Sequence, residues 1–145
     1  MQLRKELMHV EMFSLCEQAW VTTSKLNVSG VFDEIETDMV PFRHSGLTAV
    51  ARVRFEPVEY GEKEYRVEFI DEDGNNVTPP QAGTISRNCW ANNRSDTANI
   101  VVQYSGLQFP GYGSYELIFL VNDRVEAITP LEVRKTASET SFFDF

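Results

Sequence analysis

The side chains able to do chemistry are few and widely spaced. His9-Val10-Glu11 supplies the His-x-Glu half of a zinc-deaminase site, but no Pro-Cys-x-x-Cys follows to complete the metal set. Two residues apart on a strand, His9 and Glu11 share a face and read as an exposed polar pair. His44 stands in a stretch of loop composition, with no second His or Cys at ligand spacing. Cys16 and Cys89 lack a basic neighbour that would lower a thiol pKa, so both are expected to be buried and inert. Asp33, Asp38, Asp71 and Asp73 are oxygen donors of the kind that calcium sites gather from loops. The run Asp71-Glu72-Asp73-Gly74-Asn75 nevertheless lacks the later ligands and the closing Glu of an EF-hand. No His-Glu-x-x-His, Gly-rich phosphate loop or Gly-x-Ser-x-Gly elbow occurs. No nucleophile pairs with a base, so the chain is expected not to be an enzyme and to need no cofactor or metal.

The positions of these residues follow from apolar periodicity. Leu47, Ala49, Ala51, Val53 and Phe55 alternate with Thr48, Arg52, Arg54 and Glu56, which predicts a strand with one buried face. Tyr65, Val67 and Phe69 repeat the pattern, and so do Ile100, Val102 and Tyr104, then Tyr115, Leu117, Phe119 and Val121. Near Leu7 to Cys16, Met8, Val10 and Met12 share one parity while Phe13 and Leu15 take the other. A bulge, or a strand covered on both sides, is expected there. Trp20 and Val21 close that apolar run, Thr22, Thr23 and Ser24 turn the chain, and Leu26, Val28 and Phe32 restart the alternation, which predicts a hairpin. Gly30 lies inside its second arm and marks a bulge or a close approach.

Pro41 to Gly46 reads as loop, Asp71 to Asn75 as a tight turn, and Val77 to Asp96 as a long loop around one short strand. Gln108 to Gly113 and Asn122 to Arg124 turn the chain again, and Pro130 places the segment Val125 to Val133 at an edge or a bulge. Seven or eight strands with no amphipathic helix predict an all-β, antiparallel immunoglobulin-like sandwich. Gly113-Ser114-Tyr115 is similar to the tyrosine corner of such domains. The expected organisation is a sandwich over residues 1–134 and a tail over residues 135–145.

The stretch Cys16-x-x-Ala19-x-Val21, followed by Lys25-Leu26-x-Val28-x-Gly30-x-Phe32-Asp33-x-Ile35, resembles a family of small bacterial proteins of unknown function. Phe69 to Gly74, Leu107-x-Phe109-Pro110, Gly113-x-Tyr115-x-Leu117 and Pro130-Leu131-x-Val133 are similar to its later strands. The resemblance covers Leu7 to Val133 and implies a single β-sandwich domain. It brings no activity, cofactor or catalytic residue.

Charge narrows the partners. Thirteen basic residues stand against 22 acidic ones, a net of −9, which argues against binding along a phosphate backbone. No segment has the length and apolarity of a membrane span or a signal peptide, so no membrane association and a cytoplasmic location are expected. Ile118 and Leu120 alternate with the inward set of their strand and should face outward, where large aliphatics need a cover. The tail ends in Phe142-Phe143-Asp144-Phe145, three rings and an acid behind a Ser/Thr-rich spacer, the parts of a short docking peptide. The expected function is therefore a non-catalytic protein-interaction or assembly module. It would bind a protein partner, or itself, through Ile118, Leu120, Phe142, Phe143, Asp144 and Phe145. The alternative is a calcium- or carbohydrate-binding module that uses Trp90, Tyr112 and the acidic hairpin at the loop tips.

Overall fold

The computed structural model describes residues 8–56, 60–88 and 95–137. Its strands are β1 (Met8–Thr22), β2 (Lys25–Val31), β3 (Glu34–Thr37), β4 (Phe42–His44), β5 (Leu47–Phe55), β6 (Tyr60–Ile70), β7 (Gln81–Asn88), β8 (Asp96–Tyr104), β9 (Leu107–Phe109), β10 (Gly113–Val121) and β11 (Arg124–Lys135). They form a four-stranded sheet of order β2-β1-β5-β8, a five-stranded sheet of order β3-β11-β10-β6-β7, and a small ladder of β4 with β9. Among the described residues no helix is long and apolar enough to cross a membrane.

The two large sheets bury their facing sides against one another. Of the inward residues read from alternation, Leu47, Ala49, Ala51, Val53 and Phe55 from β5, Val67 and Phe69 from β6, Ile100 and Tyr104 from β8, and Tyr115, Leu117, Phe119 and Val121 from β10 are buried in that core, while Tyr65 and Val102 are partly buried against it. Aromatic rings link the layers, with Phe69 edge-on to both Tyr104 and Phe109 at 5.7 and 5.6 Å, and Phe109 edge-on to Tyr115 at 5.1 Å. The parity break in β1 is a bulge between Val10 and Met12. It lets Met8 and Val10, then Phe13 and Leu15, face the same core, because one extra residue shifts the pleat by half its period. Met12, left on the other side, joins a second small cluster with Cys16, Ala19, Val50, Leu26, Val28 and Val101.

Turns behave as their residues dictate, with two unusual choices. Thr23 and Ser24 close the first hairpin with φ of 50° and 64°, and Asn122 and Asp123 close the last with 50° and 66°. Both are two-residue loops with positive φ at each position, the twist that matches paired strands. Gly30 has a φ of +72°, and a Cβ there would stand 2.6 Å from the Glu17 carboxylate, a side chain, so neither the expected bulge nor a close backbone approach is what this glycine accommodates. Tyr115 makes the tyrosine corner: its hydroxyl donates to the Gly111 carbonyl at 2.6 Å and accepts from the Gly111 N–H at 3.2 Å.

Four expectations need correction. The first strand runs on to Thr22 rather than ending near Cys16. The stretch 77–96 holds an eight-residue strand, β7, because pairing with β6 supplies what its own alternation lacks. The stretches read as loop or turn at 41–46 and 108–113 contribute β4 and the Phe109 end of β9, which pair from Phe42↔Phe109 to His44↔Leu107. The sandwich is also not wholly antiparallel, since β3 runs parallel to β11 with Ile35 beside Val133.

Pro130 shows how local chemistry fits this topology. It lies in an interior strand, yet its missing donor costs nothing. Glu132 directs its N–H to the Asp33 carbonyl, so Pro130, two residues earlier, turns its nitrogen toward the same side. β3 does not reach that far, because the chain at Phe32 has crossed to bond the Leu15 carbonyl. The crossing leaves a cleft of about 220 Å³ lined by Leu15, Val31, Phe32 and Pro130.

Candidate functional site

The outer face of the five-stranded sheet carries the candidate site. Residues directly opposite in an antiparallel pair share a face, so the registers assemble three rows across it. One row is Val125-Leu120-Arg66, the next Ile128-Ile118-Glu68, and the third Pro130-Glu116-Ile70. Ile118 and Leu120 are thus on the outer face, as alternation predicts. Leu120 is nonetheless only 8% exposed, shielded by Val125 on one side and Arg66 on the other, and Ile118 is half-buried. The open apolar surface belongs to their neighbours: Val125 is 56% exposed and Ile128 51%.

Sequence reasoning missed both. Val125 and Ile128 are three apart, a spacing that puts them on opposite faces of a regular strand. A bulge at Glu126, between the pairs Phe119↔Ala127 and Leu120↔Val125, brings them to one face while Ala127 packs into the core. The segment Val125-Glu126-Ala127-Ile128 carries no signal of its own, because regular alternation would simply place Val125 with Ala127 and Ile128 opposite them.

Charged groups border this stripe on the β6 side. Arg66 donates from Nε to Glu68 at 2.7 Å and from a terminal nitrogen to Asp123 at 2.9 Å. The Asp123 bond first, then Glu68, raises the guanidinium pKa further. Arg124, exposed at the end of the stripe, makes no ion pair among the described residues. The other predicted contact residues, Phe142, Phe143, Asp144 and Phe145, lie outside the described residues.

The remaining reactive side chains take structural parts. Glu11 sits at the β1 bulge and accepts from Arg54 and Arg52. The Arg54 bond is the main cause holding its carboxyl below the ordinary value. His9 stands apart, 3.8 Å from Glu56. His44 stacks on Phe32 with ring centroids 6.3 Å apart, and its Nδ1 accepts the Gly46 N–H at 3.1 Å. Burial lowers its pKa, so the neutral imidazole is favoured. The Cys16 thiol is fully buried, pushed up in pKa by that burial, and donates to the Gln18 carbonyl at 3.3 Å. Cys89 and Trp90 lie outside the described residues.

At one end of the sandwich, Asp71, Glu72, Asp73, Tyr112 and Ser114 line a second cleft of about 260 Å³. Two of its acids, Asp71 and Glu72, are engaged with the backbone. Asp71 Oδ1 caps the N–H groups of Asp73 and Asn75, each at 2.9 Å, and Glu72 Oε2 accepts from Ser114 N–H at 2.9 Å. No three His, Cys, Asp or Glu side chains among the described residues are grouped to hold a metal ion.

The sequence model of a family of unknown function, DUF6941, matches residues 11–134. No curated protein matches the chain. Among solved structures, a β-glucosidase of Listeria innocua in complex with isofagomine is similar at a TM-score of 0.50 and 9% identity, over 85% of this chain and 16% of that one. The alkylpurine DNA glycosylase AlkC of Pseudomonas fluorescens, bound to DNA containing an abasic-site analog, gives 0.48 and 9%, over 90% and 31%. An immunoglobulin-like protein of Pseudomonas aeruginosa gives 0.44 and 15%, over 88% and 96%. The chain thus spans about a third of the glycosylase and a sixth of the glucosidase, and at such identities the likeness is one of fold alone. The strands themselves show an all-β sandwich of two large sheets.

Proposed function

The chain belongs to this family of unknown function, and from that premise we propose that it is a non-catalytic protein-interaction module of the cytoplasm, binding through the outer face of its five-stranded sheet. The observation that carries the reading is the stripe of Val125 and Ile128, more than half exposed, over Ile118 and Leu120. Outward aliphatics in adjacent rows expose apolar surface in one place, which marks contact surfaces more often than scattered single residues do.

The test is affinity capture from cells that express the protein natively, comparing the full chain with a V125D/I128D variant. Both positions are exposed, so the variant should fold with an unchanged circular dichroism spectrum. The reading expects at least one protein retained by the wild type and lost by the variant. Identical captured sets would refute it.

A second reading has one observation in its favour, because the fold gathers Asp71, Glu72, Asp73 and Tyr112 into one cleft. That arrangement suits a carbohydrate at the loop tips, with Tyr112 as the ring beside it, since no three acids among the described residues are grouped to hold a calcium ion. A rise in melting temperature on adding an oligosaccharide, lost in Tyr112→Ala, would promote it over the first.

A further inference from the structure

We propose that the free edge of β8 is the docking site for β8 of a second copy of this chain, joining two four-stranded sheets into one. The inference is independent of the Val125–Ile128 stripe. β8 ends its sheet, in the order β2-β1-β5-β8, so one side of it pairs with β5 and the other is an edge. Which groups line that edge follows from the ladder. Phe32 donates its N–H to the Leu15 carbonyl at 3.1 Å, so Leu15 turns its backbone groups toward β2 and away from β5. Successive residues of a strand turn these groups to alternate sides, and residues directly opposite exchange both bonds or neither. Leu15 lies opposite Ala49, and Ala49 opposite Val102. Ala49 and Val102 are therefore bonded to each other, and by the same parity Ala98, Ile100 and Tyr104 are bonded to β5. The N–H and C=O groups of Asn99, Val101 and Gln103 point the other way, where no partner strand stands among the described residues. Thr97, on the same side, directs its N–H to Asp96 Oδ1 at 2.8 Å, which ends the open run.

The other edges carry guards against strand addition. β3 is four residues with Glu34 and Glu36, β2 holds the left-handed Gly30, and the part of β11 beyond β3 contains Pro130. β7 lies beside Glu62 and Glu64 of β6, carboxylates that a two-fold axis at β7 would double on one face. β8 has none of these devices. It is nine residues with no Pro, Gly, Lys or Arg and one acid, Asp96, at its start, and its pairing with β5 runs from end to end without a bulge. Charge on the next strand inward is balanced, since Arg52 and Arg54 both bond Glu11. In a chain of net charge −9, this is the edge on which a second copy meets least repulsion. The match is also one of register. An axis through Val101 sets it against Val101 of the second copy and sets Asn99 against Gln103 of the second copy. Every open group then finds a donor or acceptor, and Thr97 is left out. On the core side the same register lays Ile100 of the second copy beside Val102, an inward residue that its own chain only partly buries. A second copy supplies this edge by symmetry, and the exchange closes as a dimer.

Val101 stands on the outer face, against Val50, so charge can be placed at the axis without touching a bond to β5. V101K or V101E sets two like charges directly opposite each other across the axis, whereas a mixture of the two variants sets opposite charges there. Light scattering should give the full chain twice its 16.6 kDa mass. Each variant alone, with an unchanged circular dichroism spectrum, should pair about tenfold more weakly or worse, and the equal mixture should restore the pair. Hydrogen exchange at Asn99, Val101 and Gln103 should slow as the concentration of the wild type rises. A full chain that stays monomeric up to about 1 mM overturns the inference, as do variants that pair like the wild type or a mixture that pairs no better than either alone. Slow exchange at those amides at every concentration overturns it too, because the edge is then covered within one chain. V125D/I128D should pair as the wild type does. If it is monomeric while V101K pairs, the stripe is the self-contact, so the inference falls and the proposed function stands. If it pairs and captures the same proteins as the wild type, the proposed function falls and the inference stands.

Discussion

Phe69 is the ring through which the two layers are joined, and replacing it with Ala tests the packing argument directly. It is fully buried, is paired with Leu117, and stands edge-on to Tyr104 and Phe109. Truncation to a methyl removes ~130 Å² of buried apolar surface, worth about 3 kcal/mol at ~25 cal/mol per Å². If the surroundings collapse halfway, a void of ~50 Å³ remains and adds about 1 kcal/mol. The expected loss is thus about 4 kcal/mol, a large part of the ~5–15 kcal/mol that holds a domain together. In a chain of this size that lowers the melting temperature by ~8–16 °C. Urea denaturation followed by tryptophan fluorescence measures it, with Ile128→Ala as the exposed control expected to cost less than about 1 kcal/mol. A loss below about 1 kcal/mol for Phe69→Ala, at unchanged denaturant slope, would mean that the two sheets do not pack through this ring.

Tyr115→Phe removes both bonds to Gly111 and should cost about 1–2 kcal/mol by chemical denaturation; a neutral result would leave the corner ornamental. Tyr104 has a buried hydroxyl with no hydrogen-bond partner among the described residues, and burial pushes its pKa up to about 12. Its neutral form is the one the fold holds, so its contribution is complete below the unfolded value near 10 and is lost as pH rises from there through about 12. Denaturation midpoints should fall over that window less steeply in Tyr104→Phe, and parallel curves would refute the assignment. Gly30→Ala places a side chain at φ of +72° against Glu17. It should destabilise by about 1 kcal/mol even when Glu17 swings away, and an unchanged melting temperature would count against a left-handed backbone at that residue.

Alternation alone determined the inward faces of β5, β6, β8 and β10, because a half-buried strand repeats every two residues wherever its partners lie. Composition likewise determined the turns at Thr23-Ser24, Asp71 to Asn75 and Asn122-Asp123, where small or polar residues accept the required backbone. The outward placement of Ile118 and Leu120 came from the same periodicity. What tertiary structure decided is whatever depends on a distant partner. β3 is four residues with one buried side chain, Ile35, and exists as a strand because β11 supplies its hydrogen bonds. β7 depends on β6 in the same way, and β4 with β9 on each other. The candidate site divides along this line. Its strand was legible, but its exposed pair, Val125 and Ile128, shares a face only through the bulge at Glu126. In β1 the switch of large apolar residues from one parity to the other signalled its bulge, whereas Val125 to Ile128 carries no such switch of buried residues, so only the register with β10 places the bulge there.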